Sequence, residues 1–141
     1  EVGETVRISL GVGYDELSKS VDLTVKIKHK GDVLQPVGYS GGAGGFNKFG
    51  ECVTVSVEGA PIDIIVANRR QAYTLEDQYV AAGVDWDEYD IIVVKLGYIF
   101  PALKAKAGFY VMSLTDGATL QDTRRLKFKR IMRPMYPIDE I

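Results

Sequence analysis

The sequence predicts an α+β fold, with a mixed, mostly antiparallel sheet, a C-terminal βαβ unit and two or three short helices. Three observations lead to this prediction. Apolar and polar residues alternate with the period of a strand in the first half, helix signals begin at Thr74, and a continuous β-branched run covers Ile91 to Val94. At 141 residues, with 46% apolar and 26% charged residues, the chain fits a single domain over residues 1–141 around one core.

The first half contains four candidate strands. Apolar side chains at every second position give a strand one buried face. The segment Gly59-Ala60-Pro61 separates the third strand from the fourth and suits a hairpin turn. Residues 38–50 include six glycines, which predicts a flexible or close-packed loop between the second strand and the third. The alternating apolar positions are Val6, Ile8 and Leu10; Leu23, Val25 and Ile27; and Val53, Val55 and Val57, and the fourth candidate strand is Ile62 to Val66.

Helix signals follow in the second half. Thr74 is the predicted N-cap of a short helix with an acidic first turn, and Gly83 occupies the position of a left-handed C-terminal cap. The run Ile91 to Val94 predicts a strand that is covered on both faces. With a helix over residues 101–107 and a strand over residues 109–114, this run predicts a parallel, right-handed βαβ unit.

The charge balance gives no general attraction to nucleic acid. Seventeen basic residues against nineteen acidic ones leave a net charge of -2. Six basic residues lie between Arg124 and Arg133 without an acidic one, and a last helical turn is predicted over residues 122–126. Such a basic run is typical of a solvated face or of a surface that docks an acidic neighbour. We therefore expect no nucleic-acid partner.

Three further features of the sequence concern membrane segments, the single cysteine and the first residue of the chain. No stretch approaches the roughly 18 to 20 apolar residues of a membrane helix, so no membrane partner is expected. Cys52 is the single cysteine, so an internal disulfide is excluded and a buried thiol is predicted. Because cysteine is scarce, the sequence also favours a cytoplasmic location. The chain begins at Glu1 without an initiator Met, which predicts that it is a piece of a longer protein.

The sequence predicts neither a catalytic residue nor a metal site in this chain. Zinc hydrolysis needs about three His, Asp, Glu or Cys ligands and an open position for water. His29 is the only histidine, and it is predicted to be a surface residue on the polar face of a Lys-rich strand. The acidic residues within 85–90 lack the spacing of a calcium loop, so we predict a solvated connection that Trp86 and Tyr89 anchor by packing.

A site that binds a small anion is the most specific functional site that the sequence suggests. Lys95 follows a predicted parallel strand at its carboxyl end, where ligands of α/β units collect. Arg69, Arg70 and Asp116 follow other strands and are the further candidates for substrate or anion contact. The loop Gly38–Gly45 offers consecutive backbone N–H groups but lacks the Gly-Lys-Ser/Thr of a phosphate loop. The alternative for Lys95 is a pair with an acidic residue at a domain interface, or a position in solvent.

Two motifs carry a resemblance to a known family. The run Ile91 to Val94 continues into Lys95-Leu96-Gly97-Tyr98-Ile99-Phe100-Pro101, and the chain closes on Arg133-Pro134-Met135-Tyr136-Pro137-Ile138-Asp139. These segments resemble the C-terminal domain of the microcystinase C (MlrC) family of zinc metallopeptidases, whose members typically end in a basic segment followed by Arg-Pro-x-x-Pro-x-Asp. Many members carry a His where this chain has Ile99, which argues against proton transfer or metal contact by this loop. The terminal motif is matched at Arg133, Pro134, Pro137 and Asp139.

The resemblance implies that this chain is the excised C-terminal domain of a larger MlrC-like hydrolase of peptide or amide bonds. It implies zinc in the parent protein, with the metal ligands in an N-terminal catalytic domain, which is then the expected partner. The terminal motif has a structural role in this interpretation, with prolines that stiffen the tail and a pair between Arg133 and Asp139 or between either residue and the backbone.

Two functions follow from these observations. The first is a non-catalytic accessory domain that shapes or supports an active site located in the N-terminal part. The alternative is a free-standing small-anion or partner-binding module that uses the Gly38–Gly45 loop and the Lys95 rim. The sequence leaves a homo-oligomer open in either case.

Overall fold

The computed structural model describes residues 1–11, 19–38, 44–114 and 120–140. The chain divides into two compact units. The first comprises Glu1–Leu10 and Asp22–Tyr110, and the second comprises Gly11–Val21 and Val111–Ile141. Both α-helices lie in the first unit, whereas the second contains a 3-10 turn inside the helical turn that the sequence predicts there. The turn spans Thr123–Arg125.

Four strands form one sheet, in the order β1-β2-β3-β4. The pairs β2·β3 and β3·β4 are antiparallel, so the predicted α+β fold with a mostly antiparallel sheet is confirmed. Residues 46–50 belong to β3 and not to the predicted glycine-rich loop, while residues 39–43 of that loop lie outside the described residues. The strands are Thr5–Leu10 (β1), Val21–Pro36 (β2), Phe46–Val57 (β3) and Asp63–Ala67 (β4).

The register between β2 and β3 shifts by one residue between Ile27 and His29. Ile27 lies opposite Val55, whereas His29 lies opposite Thr54. Opposite residues share a face of the sheet and neighbours along a strand point to opposite faces, so the bulge turns His29 to the face of Thr54. His29 is half-buried there, and its ring lies so close to Gly83 that a Cβ on that glycine would stand 2.4 Å from the ring Cγ. His29 thus shares the polar face of Lys26, as predicted, but its ring packs against Gly83 and is not a freely exposed surface group.

The first α-helix, Glu76–Ala81 (α1), begins one residue later than predicted. Its N-cap is Leu75 and not Thr74. The reason is the side chain of Gln78, whose Oε1 accepts hydrogen bonds from the backbone N–H groups of Thr74 at 2.7 Å and Leu75 at 3.1 Å. This contact is the part of a capping box in which the side chain at the third helical position, here Gln78, accepts from the backbone N–H of the N-cap residue.

The C-terminal cap of α1 is the one that the sequence predicts. Gly83 adopts a φ of +72°, in the left-handed region that favours glycine. The N–H groups of Gly83 and Val84 donate to the carbonyls of Val80 and Tyr79, each at 2.9 Å. These two bonds form a Schellman motif, which turns the chain back toward the sheet.

The core of the first unit brings α1 and the sheet together with the 3-10 turn Trp86–Glu88 and the helix Pro101–Lys106 (α2). The rings of Tyr79 and Trp86 meet edge to face with centroids 4.8 Å apart, so the predicted packing of Trp86 is confirmed. Cys52 is buried, also as predicted. One buried cluster contains Tyr79, Val84, Trp86 and Leu103, and a second contains Val33, Cys52 and Ala82.

The predicted C-terminal βαβ unit is not confirmed. Its helix is present as α2, with Pro101 at the first helical turn. Neither flanking segment is a strand: residues 91–94 and 109–114 have irregular structure. A strand of continuous β-branched residues needs cover on both faces, and Ile91 and Val93 are largely exposed among the described residues. No helix within the described part of the chain is long and apolar enough to cross a membrane.

Candidate functional site

A polar network centred on Asp63 joins charged and hydroxyl groups from several elements of the first unit. Asp63 is the first residue of β4 and lies opposite Ser56 of β3. Its Oδ1 accepts a hydrogen bond from Ser56 Oγ at 2.6 Å, and its Oδ2 accepts from Lys28 Nζ, also at 2.6 Å. The hydroxyl of Tyr89 donates to the same Oδ2 atom. We call these four residues the Asp63 network.

The electrostatics of the Asp63 network fix its charge state. Burial alone would raise the pKa of the Asp63 carboxyl, but hydrogen bonds from Lys28, Ser56 and Tyr89 hold this pKa below its ordinary value of 3.8. The hydrogen bond to Asp63 raises the pKa of the Lys28 ammonium group, and burial raises the pKa of the Tyr89 hydroxyl. At neutral pH the network therefore contains a carboxylate, an ammonium group and a neutral phenol.

This arrangement suits an anchor better than a catalytic group. The Asp63 side chain is only 14% exposed, and each of its oxygens already accepts a hydrogen bond. Tyr89 belongs to the connection that follows the 3-10 turn, so its hydroxyl attaches that connection to the sheet. The sequence predicts the packing of Tyr89 but not this hydrogen bond. The hairpin turn before Ile62 is the one signal that could have placed Ser56 opposite Asp63.

A second buried polar group, Gln78, joins α1 to the sheet. Its Nε2 donates to the carbonyls of Leu34 at 2.8 Å and Ala72 at 3.1 Å, while its Oε1 holds the two N–H groups before α1. Gln78 is fully buried, and both ends of its amide are satisfied. The helix consequently has a fixed position above β2.

The backbone of α1 also approaches the sheet closely. A Cβ on Gly31 of β2 would stand 2.0 Å from the carbonyl oxygen of Ala81, so only a glycine fits beneath the helix. Thr54 Oγ1 donates to the carbonyl of Ala82 at 2.5 Å, which satisfies one acceptor at the end of the helix. These contacts, like those of Gln78, use polar groups to hold the fold.

The described residues that are predicted for anion contact lie in separate exposed segments. Lys95 is exposed in an irregular segment and does not stand at the end of a strand. Arg69 and Arg70 are exposed after β4, where the stem of Arg69 lies against Gly50. Asp116 lies outside the described residues, as do residues 39–43 of the Gly38–Gly45 loop. An anion site formed by these residues stays a prediction.

The described His and Cys residues of this chain do not fit the zinc site that the resemblance implies for the parent protein. The ring of His29 packs against Gly83, and Cys52 is buried with its Sγ donating to the Asp32 carbonyl at 3.6 Å. Burial raises the pKa of the Cys52 thiol, which disfavours the thiolate that zinc binds. Across the described ranges no three His, Cys, Asp or Glu side chains form a group that could hold a metal ion.

The acidic connection within residues 85–90 has structural contacts of its own. Asp85 accepts a hydrogen bond from the Asp87 N–H at 3.0 Å and so caps the 3-10 turn. Lys106 of α2 pairs with Asp87 at 3.5 Å and with Glu76 of α1 at 3.1 Å. The two carboxylates therefore serve to attach α2 to α1 and to the turn.

The terminal motif forms a compact turn in the second unit. Arg133 Nη1 donates to Asp139 Oδ1, and Met135 N donates to Asp139 Oδ2 at 2.9 Å. The carbonyl of Met135 accepts from the N–H groups of Ile138 and Asp139, each at 2.9 Å. The peptide bonds before Pro134 and Pro137 are cis. Asp139 thus makes both contacts that the sequence predicts for this motif, the pair with Arg133 and a hydrogen bond with neighbouring backbone.

Residues 1–130 match the family described as MlrC C-terminus. No curated protein matches the chain, and neither does any solved structure. The matched residues include the run Ile91 to Val94 and its continuation to Pro101, whereas the terminal motif from Arg133 to Asp139 lies beyond them. The chain therefore belongs to the MlrC family, of which it is the C-terminal domain.

Proposed function

We propose that this chain is a non-catalytic accessory domain of an MlrC-like metallopeptidase. In this proposal the N-terminal part of the longer protein supplies the zinc ligands and hydrolyses a peptide or amide bond. The present domain shapes or supports the active site from outside the metal's coordination shell. When bound in the N-terminal part, zinc would activate water and polarise the carbonyl of the scissile bond.

The observation that carries the proposal is the family match over residues 1–130. A C-terminal domain of this family has an N-terminal part in the same polypeptide, so chemistry and support can be divided between them. The proposal requires a rigid body rather than a reactive one, and the contacts of Gln78 and Gly31 with α1 and the sheet supply rigidity.

The side chains of this chain that could act as metal ligands or as bases support the same division, with chemistry in the N-terminal part and support in this domain. The Asp63 carboxylate is engaged by Lys28, Ser56 and Tyr89, and the Asp139 carboxylate by Arg133. Each would have to leave partners that stabilise the fold before it could act as a base or as a ligand. His29 and Cys52 are likewise held by packing.

The test compares the longer protein with the isolated chain of residues 1–141. Both are dialysed against metal-free buffer, bound zinc is measured by elemental analysis, and hydrolysis of a mixed peptide library is followed by mass spectrometry. We expect zinc and hydrolysis in the longer protein alone. One equivalent of zinc retained by the isolated chain, or hydrolysis by it, would contradict the proposal.

A matched pair of variants sharpens the comparison. In the longer protein, His29→Gln removes the one histidine of this domain, whereas Asp139→Asn weakens the terminal turn that Asp139 forms with Arg133 and Met135. Neither change should lower the zinc content, because neither residue is a ligand in the proposed arrangement. A loss of zinc in His29→Gln would indicate that this domain supplies a zinc ligand and would contradict the proposal.

A further inference from the structure

The segment of residues 91–96 has the side-chain pattern of a strand without the hydrogen bonds of one. Ile91 is 80% exposed and Val93 is 91% exposed, whereas Ile92 between them is 38% exposed. Val94 and Leu96 pack against the buried cluster of Tyr79, Val84, Trp86 and Leu103. From Val93 to Leu96 side chains therefore alternate between the outside and the core, and Ile92 is less exposed than its two neighbours, as in a strand.

The backbone of this segment is unpaired. No described residue forms a hydrogen bond with the N–H or C=O groups of residues 91–96. A row of unpaired backbone groups beside apolar side chains is the feature that lets a protein add a strand from a partner. β-branched residues are also the ones that gain most from a pleated, covered surface.

The outer side chains define the chemistry of what covers the segment. Ile91 and Val93 are apolar and lie two residues apart, so they point to one side. Exposed apolar residues scattered singly are ordinary, but two on one strand face beside an open backbone mark an interaction surface. The partner must therefore offer both an apolar recess and a free strand edge.

We propose that residues 91–96 pair as a β-strand with a strand edge in the N-terminal part of the same protein, with Ile91 and Val93 filling an apolar recess on that part. This inference rests on the proposed function in one respect: it requires that the longer protein has an N-terminal part. The family match is to a C-terminal domain, so this partner is joined to the segment covalently and is present at a high effective concentration. The strand predicted from the sequence at Ile91 to Val94 would then form on docking.

Hydrogen exchange tests the proposal directly. Amide exchange of a peptide spanning residues 90–97 is measured by mass spectrometry in the longer protein and in the isolated chain of residues 1–141. Paired amides open only with the docked interface, so we expect exchange to be about a hundredfold slower in the longer protein. Equal exchange rates in the two proteins would overturn the proposal.

Two variants of Val93 separate backbone pairing from side-chain contact. Val93→Pro removes the backbone N–H, and Val93→Lys replaces the apolar side chain, so each should restore fast exchange over residues 90–97 in the longer protein. In the isolated chain both should leave thermal unfolding unchanged, since Val93 has neither a paired N–H nor a covered side chain there. Slow exchange that persists in both variants would overturn the proposal.

The matched control is Val80→Lys. Val80 is another exposed apolar residue, 64% exposed on α1, but its helix already satisfies its backbone. This variant should leave exchange of residues 90–97 slow in the longer protein, and fast exchange would mean that any added lysine disturbs the interface.

Two further outcomes are decisive. If exchange in the isolated chain is slow and becomes slower as the protein concentration rises, the segment pairs with a second copy of this chain. That result would overturn the proposal. Zinc content measured on the same samples separates this inference from the proposed function. Zinc confined to the longer protein with residues 91–96 still exchanging fast would leave the accessory role standing and reject the strand pairing.

Discussion

Lys28 Nζ lies 2.6 Å from Asp63 Oδ2, although the two residues belong to strands that are not neighbours in the sheet. β3 lies between them and contributes Ser56 to the same carboxylate. Lys28 can reach across because the register of β2 shifts between Ile27 and His29, which leaves Lys28 without a partner opposite it. An irregularity in one strand thus permits an ion pair that ties three strands together.

Asp63→Asn should destabilise the chain. The substitution keeps the size of the side chain but removes the charge that Lys28, Ser56 and Tyr89 bind, so we expect a loss of about 1–2 kcal/mol in the free energy of unfolding. Chemical denaturation followed by circular dichroism measures it. Asp22→Asn is the control, because the pair between Asp22 and Arg7 is exposed and should contribute less than about 0.5 kcal/mol. Equal losses in the two variants would contradict an anchoring role.

The stability contributed by Asp63 should depend on pH. Its pKa in the folded state lies below the ordinary value of 3.8, so on acidification the unfolded chain takes up the proton first. The contribution is therefore present above the unfolded pKa and is lost as the pH falls through the folded pKa. Urea unfolding at neutral pH and near pH 3 should show a smaller acid loss in Asp63→Asn than in the unchanged chain. The same acid loss in both would rule out this carboxyl as the titrating group.

The sequence predicts the parts of the fold that depend on local signals. Three of the four strands follow from alternation, and the fourth follows from the turn before Ile62. The end of α1 follows from Gly83, because only glycine adopts the left-handed conformation there without strain. The start of α1 is displaced by one residue from Thr74, since a side chain from within the helix provides the cap. Alternation could not place His29, because the bulge before it depends on pairing with β3.

Most of the candidate site could not be predicted from the sequence. The Asp63 network combines residues from three strands and a connection, and no spacing along the chain encodes that convergence. The predicted anion site relied on Lys95 at the end of a parallel strand, and that position exists only if residues 91–94 pair. A strand that needs a partner is visible in the sequence as a propensity, whereas the partner is not.

Gly31→Ala should be strongly destabilising, although Gly31 does not have a left-handed backbone. An added Cβ would stand 2.0 Å from the carbonyl oxygen of Ala81, and a backbone atom cannot move aside as a flexible side chain can. We expect a loss of about 2–3 kcal/mol through displacement of α1 from the sheet. Gly108→Ala is the control: no atom lies within 4 Å of its Cβ position. Thermal unfolding of both variants measures the difference, and a similar midpoint for the two would show that α1 is not seated on Gly31.

Gln78→Ala should cost more than a polar-to-alanine change at the surface. The substitution leaves the N–H groups of Thr74 and Leu75 and the carbonyl of Leu34 without their partner in a buried site. We expect a loss of about 2–4 kcal/mol in the free energy of unfolding, measured by urea denaturation. Gln35→Ala, at an exposed position of β2, should change it by less than about 0.5 kcal/mol.

A second variant at the same position separates the hydrogen bonds from the volume of Gln78. Gln78→Glu preserves the size of the side chain and its acceptors, but it loses the Nε2 donor to Leu34 and Ala72 and places a charge in a buried site. It should therefore be as destabilising as Gln78→Ala at neutral pH and should recover part of the loss when acid protonates the carboxyl. If Gln78→Glu unfolds like the unchanged chain at neutral pH, packing rather than hydrogen bonding holds α1 above β2.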